Sequence, residues 1–452
     1  MYEIPAGART VLSRLHAADF EAYLVGGCVR DLLRGVEPHD WDICTDALPE
    51  EVERCLAKCR IVETGLRHGT VTVLAQGEGY EVTTYRTDGT YSDGRRPDSV
   101  SFVRDLTQDL ARRDFTMNAI AMGLDGALRD PFGGQADIRA RVVRCVGDPK
   151  RRFHEDGLRV MRALRFASTL GYGIAPDTAR EIHAQRDMLR CVAPERIRVE
   201  LGKLLTGPSA GSILRAYADV LCVFWPELAC MQDVEQRNPW RLYDVFEHAV
   251  RAVECAPQDE ALRLTMLLHD IGKPRRMTVD AAGATHFYRH PEESAAMADA
   301  MLRRLKYDNA TREQVVELIA CHGAELSPAP RTVRRWLARL GSERFFQLLE
   351  VQRADALAQN PERARARLDA LPEIARCARA CIDAGACLSL RGLAVGGRDI
   401  LALGVSGPAV GAVLRALLDR VIDGELPNDR ETLLQEAARI LTTDEGRRPH
   451  DR

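Results

Sequence analysis

Apolar and polar positions along the first hundred residues switch repeatedly between helical and strand periods. Residues 8–20 carry apolar side chains at helical spacing and predict a short amphipathic helix. A short apolar run then ends at Leu24-Val25-Gly26-Gly27, which reads as a buried strand turning abruptly into a helix whose first turns are Cys28-Val29-Arg30-Asp31-Leu32-Leu33. Asp40-Trp41-Asp42-Ile43 reads as a strand, and its period of two puts Asp40 and Asp42 on one face. Val71–Leu74 and Tyr80–Tyr85 are β-rich runs joined by Gln76-Gly77-Glu78-Gly79, a hairpin signal. From Arg86 to Pro97 the Gly, Asp, Ser and Arg content predicts a mobile loop, and Asp130-Pro131-Phe132-Gly133-Gly134 is the next break. Beyond about residue 140 strand signals nearly vanish, and Leu/Ala/Arg patterns of helical period run to the end. The pattern predicts a small mixed α/β head followed by a long helical body, with further breaks near 206–211, 226–239 and 357–361.

Composition changes this picture little. A chain of 452 residues, 46% hydrophobic, has room for two to four domains. A formal charge of −3 does not advertise a nucleic-acid binder, although a local basic stripe can bind while acidic regions offset it. Thirteen cysteines, odd in number and without a CxxC pair, fit a reduced compartment with buried free thiols; Cys55/Cys59 and Cys377/Cys381 read as neighbours on helix faces. The start, Met1–Pro5, does not read as a signal peptide, and no apolar run approaches the ~18 residues of a membrane helix. The expectation is a cytoplasmic protein with no membrane partner.

Chemistry enters with the glycines and aspartates. Glycines at a strand-to-helix turn let backbone approach a ligand closely, and free N–H groups at a helix start suit phosphate. Two neighbouring carboxylates repel unless a cation lies between them, and hard oxygen ligands suit Mg²⁺ held against substrate phosphates. A lone Gly-Gly is usually a turn and a lone Asp-x-Asp a solvated edge, but the two in this order and this close describe a nucleotidyl-transfer site.

Further on, Arg112-Arg113-Asp114-Phe115-Thr116-Met117-Asn118 sets paired arginines before an apolar run of helical character, and such a pair suits bidentate phosphate contact. On a helix, Asp156, Arg159, Arg162 and Arg165 would be successive i,i+3 neighbours on one charged ridge, which alone would pass for a solvated face. An Asp–Arg pair can also read a base. Cytosine and adenine each offer an amino donor beside a ring-nitrogen acceptor, matching Asp156 and Arg159; uracil and guanine present the reverse and leave the pair mismatched.

The Gly-Gly and Asp-x-Asp signatures resemble the nucleotidyltransferase superfamily that includes DNA polymerase beta. With Arg112-Arg113-Asp114-Phe115-Thr116-x-Asn118, Glu155-Asp156-x-x-Arg159 and Ala193-Pro194-Glu195-Arg196-Ile197-Arg198-x-Glu200, the chain is similar to bacterial class II tRNA nucleotidyltransferases, the CCA-adding enzymes. The resemblance implies an α+β fold: a polymerase-beta-like mixed-sheet head over 1–140, a helical neck over 141–225, an HD domain over 226–365 and a helical tRNA-binding tail over 366–452. It implies addition of CCA to the acceptor end of tRNA from CTP and ATP, with Mg²⁺ on Asp40 and Asp42 and Glu81 as a third carboxylate. Gly26, Gly27, Arg30, Arg113 and Asn118 would serve the nucleotide, and Asp156, Arg159, Arg162 and Arg165 its pocket. The segment Arg86–Pro97 matches the loop that helps such enzymes switch from CTP to ATP. The alternatives are a poly(A) polymerase, an enzyme adding only CC or only A, and an HD phosphohydrolase whose head binds RNA.

Phe246-Glu247-His248 and Leu267-Leu268-His269-Asp270-Ile271-Gly272-Lys273-Pro274, with Arg353-Ala354-Asp355 downstream, resemble an HD-domain metal site. By that likeness His248, His269, Asp270 and Asp355 would hold one divalent metal, with His290 and His322 available to a second, for phosphate-ester hydrolysis.

Overall fold

The computed structural model describes residues 3–65, 69–89, 99–237, 240 and 242–445. The chain divides into two compact units: Met1–Ala229 with Arg303–Tyr307, and Cys230–Leu302 with Asp308–Arg452.

The first unit opens with α1 (Ala6–Ala17), β1 (Ala22–Val25) and α2 (Gly27–Leu33), followed by β2 (Asp42–Thr45), α3 (Pro49–Cys55) and β3 (Arg60–Gly65). Next come β4 (Thr70–Ala75), β5 (Glu78–Thr84), β6 (Arg86–Asp88), β7 (Val100–Phe102), α4 (Leu106–Ala111), β8 (Ala121–Met122) and β9 (Leu128–Arg129). Seven strands form one sheet in the order β3-β4-β5-β2-β1-β8-β9. Its pairings are antiparallel except β2 on β5, where Asp42 lies opposite Glu81. The β4–β5 hairpin turns on Gln76 and Gly77 at φ 52° and 88°, the left-handed pair that suits the twist of a two-residue turn. Under the site, Val25, Cys44, Tyr85, Leu110, Ala119, Ala121 and Val146 pack as one apolar cluster.

Helices then dominate: α5 (Gly134–Ala140), α6 (Pro149–Glu155), α7 (Leu158–Leu170), α8 (Pro176–Ala184) and α9 (Pro194–Thr206), with β10 (Val142–Val143) and β11 (Gly173–Ile174) as a two-residue parallel pair. The second unit is almost wholly helical, with cores around Val333, Leu337, Phe345 and Ile374 and around Ile400, Leu417 and Leu433. The α+β reading holds. No helix among the described residues is long and apolar enough to cross a membrane, and all thirteen cysteines are free.

Local expectations needed correction at five places. Asp40 sits on a bend before β2: β1 ends at Val25, opposite Asp42, so Asp40 has no ladder partner on that side. The apolar run after Asn118 is no helix; Thr116–Asn118 is one 3₁₀ turn, and Ala121–Met122 joins the sheet beside β1. The base of the Arg86–Pro97 segment is a ladder, with Arg86–Asp88 paired to Val100–Phe102, while residues 90–98 lie outside the described residues. Asp156 precedes α7 in extended conformation, so it shares no helical ridge with Arg159. Cys55 ends α3, and Cys59 lies beyond that helix.

Candidate active site and a buried histidine–aspartate cluster

Gly26 makes the turn from β1 into α2 at φ 82°. A Cβ there would stand 3.3 Å from Arg113 Nη1 and 3.6 Å from Asp42 Oδ2, so only hydrogen leaves room beside those two groups. Asp42 opens β2 and has Glu81 as its lateral neighbour on β5. Burial raises the Asp42 pKa, the Glu81 and Asp40 charges push it the same way, and Arg113 opposes them. Three carboxylates thus gather where one cation is too few to neutralise them.

Arg113 donates from Nη2 to Asp109 at 3.2 Å, and its buried Nε has no hydrogen-bond partner among the described residues. From α2, Arg30 donates Nη1 to Asn118 Oδ1 at 2.9 Å, and Asn118 donates Nδ2 to Asp114 Oδ1 at 3.1 Å. Asp114 Oδ2 accepts Arg162 Nε at 2.9 Å and Nη2 at 2.6 Å, and Arg165 Nε reaches Glu200 at 2.8 Å. Burial alone would raise Asp114, but the Arg162 charge and hydrogen bonds hold it at about 2. The Phe166 ring carries the Arg165, Arg30 and Arg162 guanidinium carbons at 3.6, 5.2 and 5.5 Å.

Asp156 caps α7 by accepting Leu158 N at 3.0 Å and is gripped by Arg196 Nη2 at 2.8 Å. Arg159, buried, donates to Glu155 at 2.6 Å and to the carbonyls of Arg152 and Arg112 at 3.1 and 3.0 Å. The supposed ridge is therefore divided: Asp156 goes to Arg196, Arg159 to Glu155 and Arg162 to Asp114, while Arg162 and Arg165 also share Glu200 at 3.8 and 2.8 Å. A cavity of about 380 Å³ is lined by Gly26, Gly27, Arg30, Asp42, Arg113, Asn118, Asp156, Arg159 and Arg162. Arg165 turns to Glu200 and does not line it, and Asp40 borders a separate cavity of about 1100 Å³ with His39, Trp41 and Tyr80. Sequence reasoning missed Asp109, Phe166 and the part of Arg196 in this pocket. The one available signal was Asp109 standing three and four residues before the paired arginines, helical contact distance.

In the second unit six ligand-type side chains meet. His248 comes from the helix Val245–Cys255, His290 from the start of His290–Arg304 and Asp355 from Ser342–Leu357. His269-Asp270 and His322 follow the ends of Glu260–Leu268 and Asn309–Cys321. His248 Nε2 lies 3.2 Å from His269 Nε2, 3.1 Å from Asp355 Oδ1 and 3.5 Å from Asp270 Oδ2. His290 and His322 Nε2 stand 3.2 and 3.7 Å from Asp270 Oδ1. Each histidine points Nδ1 at a backbone carbonyl, of Ala358, Met266, Phe287 and Ile319, at 2.6–3.2 Å. A carbonyl can only accept, so Nδ1 carries a proton and Nε2 is the ring atom that each histidine turns to the cluster and that a metal would take. Burial lowers His269, but the charges and hydrogen bonds of Asp270 and Asp355 raise it to about 9, so a cation there displaces a proton. Asp355 Oδ2 is held by Gln359 and Arg367, and Lys273 Nζ lies 2.6 Å from Asp270.

Family models match three stretches of the chain: the Poly A polymerase head domain at residues 22–144, the RNA and SrmB-binding site of polymerase A at 171–228, and tRNA nucleotidyltransferase domain 2 at 285–437. A mixed-sheet head with paired carboxylates beside a glycine turn defines a nucleotidyltransferase. The CCA-adding enzyme of Levilactobacillus brevis is 37% identical over 437 residues, covering 94% of this chain and 96% of the relative. That of Geobacillus stearothermophilus is 42% identical over 290 residues, 59% of this chain and 71% of the relative. The crystal structure of the Bacillus stearothermophilus CCA-adding enzyme in complex with CTP superposes with a TM-score of 0.73 at 31% identity, covering 97% of this chain and 98% of that one. The chain belongs to the family of CCA-adding enzymes.

Proposed function

We propose that this protein builds the 3′-terminal CCA of tRNA from CTP and ATP without a nucleic-acid template, releasing pyrophosphate. The observation that carries the reading is the end-to-end family match joined to the Asp42–Glu81 pair beside Gly26 and Arg113. The family uses a divalent metal. Here the donor set is all carboxylate oxygen, with Asp42 raised by burial and by its acidic neighbours, which fits Mg²⁺ on Asp40, Asp42 and Glu81. Bound there, Mg²⁺ supplies charge neutralisation for the triphosphate and acidifies the attacking hydroxyl.

The protein's own groups bind and orient. Gly26 and Gly27 let backbone approach the phosphates, while Arg30 and Arg113 face them across the cavity. Asp156, fixed by Arg196, accepts the amino proton of cytosine or adenine. Arg159, fixed by Glu155, donates to the ring nitrogen. Arg162 and Asn118 hold this wall against the phosphate wall through Asp114. Tight placement of the 3′-hydroxyl against the α-phosphate supplies the rest, with no covalent intermediate.

Incubating the protein with Mg²⁺, labelled CTP and ATP and tRNA lacking its CCA end tests the reading. Addition should stop after three nucleotides on tRNA; long ATP-dependent tails on any RNA would replace it with poly(A) synthesis. A cytoplasmic location belongs to the same reading, supported by the thirteen free cysteines.

The six-residue cluster is assigned a second divalent cation on His248, His269, Asp270 and Asp355, with His290 and His322 facing the far oxygen of Asp270. Four Nε2 nitrogens beside two carboxylates fit such an ion. Phosphate-ester hydrolysis is the matching chemistry. His269→Ala should lower bound metal measured by mass spectrometry while CCA addition continues; equal metal content would remove the assignment.

A further inference from the structure

Asp109, on α4, is fully buried and lies outside the cavity lining, yet two residues of that lining, Arg112 and Arg113, donate to it. Its Oδ1 accepts Arg112 Nε and Nη2 at 2.9 and 2.7 Å and the backbone N–H of Arg86, the first residue of β6, at 3.3 Å. Its Oδ2 accepts Arg113 Nη2 at 3.2 Å, and the Nη1 of Arg113 borders the space beside Gly26 that Asp42 Oδ2 also borders. The backbone carbonyl of the same Arg112 accepts Arg159 Nη2 at 3.0 Å. Burial would push Asp109 up, but the Arg113 and Arg112 charges hold it below the usual carboxylate range, so it stays ionised.

We propose that Asp109 is a positioning residue that couples triphosphate binding to base selection. One carboxylate fixes the phosphate-side guanidinium of Arg113 directly and the base-side guanidinium of Arg159 through the Arg112 carbonyl. The inference rests on the reading that Arg113 meets phosphate and Arg159 reads the base. Loosening either arginine alone would disturb one function; loosening Asp109 disturbs both, because they share an anchor.

The test is Asp109→Asn in the full-length protein, with KM and kcat measured for CTP, ATP, UTP and GTP on tRNA lacking CCA, and folding checked by circular dichroism. Losing one charge-assisted anchor should raise the KM for CTP about tenfold and lower the CTP:UTP efficiency ratio about tenfold. A merely structural role would lower the active fraction for all four nucleotides alike and leave the ratio untouched. A folded variant with unchanged KM, or with raised KM and an unchanged CTP:UTP ratio, overturns the coupling. If Asn at this position prevents folding, Asp109→Glu keeps the charge, displaces both guanidinium groups and is read the same way. Arg113→Ala separates this inference from its premise: it should raise KM for all four nucleotides equally. If it leaves KM unchanged, the phosphate role of Arg113 fails, while the ratio in Asp109→Asn still decides whether Asp109 governs base selection.

Discussion

Replacing Asp114 with Asn removes the charge at the centre of the chain that links Arg30, Asn118 and Arg162 across the pocket. Its partners set the magnitude: Oδ2 accepts two N–H groups of Arg162, and Oδ1 accepts Asn118 Nδ2 and the backbone N–H of Phe115 at 2.8 Å. A carboxyl held at about 2 against an ordinary 3.8 contributes about 2 kcal/mol of stability at neutral pH. Breaking a buried pair costs roughly 3–5 kcal/mol, but Arg162 is one-third exposed and recovers some hydration, so the lower figure is the one to expect. The sign follows from the lowered pKa. The contribution is complete above pH 4–5, and it drains away as pH falls through the folded value, leaving about half by pH 3. Urea unfolding of the wild type and Asp114→Asn at pH 7, 5 and 3, followed by the fluorescence of the buried Trp225, measures the difference directly. A gap below about 0.5 kcal/mol at pH 7, or one that stays constant down to pH 3, would refute the argument.

Asp42→Asn should cut nucleotide addition at least about a hundredfold while CTP still binds, read as kcat against KM in primer extension. Asp156→Ala should leave a folded enzyme that incorporates UTP and GTP more freely, scored by sequencing the extended tRNA ends; unchanged selectivity would reject its role in reading the base. Gly26→Ala places a Cβ 3.3 Å from Arg113 Nη1 on a backbone at φ 82°, so thermal unfolding should show a loss of about 1–2 kcal/mol, together with weaker CTP binding by calorimetry.

How much of this was legible in sequence follows from how local each determinant is. The strand, glycine turn and helix around Gly26 were readable because a strand period, a glycine and a helical period follow one another within a dozen residues. The hairpin at Gln76-Gly77 was readable for the same reason, and so was the helical body after residue 140. The placing of Asp40 was not, since whether a residue belongs to a strand depends on where its partner ends, and β1 stops opposite Asp42. Asp156 and Arg159 shared a helical spacing on paper, but the helix breaks at Asp156 itself, whose backbone is extended at φ −143° and ψ 107°. Charge alone could not say that Arg159 turns inward to Glu155, or that Arg162 grips Asp114 while sharing Glu200 with Arg165.

The sequence by itself supplied the chemical inventory: carboxylates for a cation, arginines for phosphate, and histidines at intervals. Only the tertiary structure decided which of them meet. It set Glu81 beside Asp42 across a parallel strand pair, turned four histidine Nε2 atoms toward two aspartates, and brought Arg159 onto the backbone carbonyl of Arg112, the neighbour of Asp109. The physical reason is range. Backbone periodicity and turn preference act over a few residues, whereas ion pairs and ligand clusters join side chains tens to a hundred positions apart, whose encounter is fixed by packing.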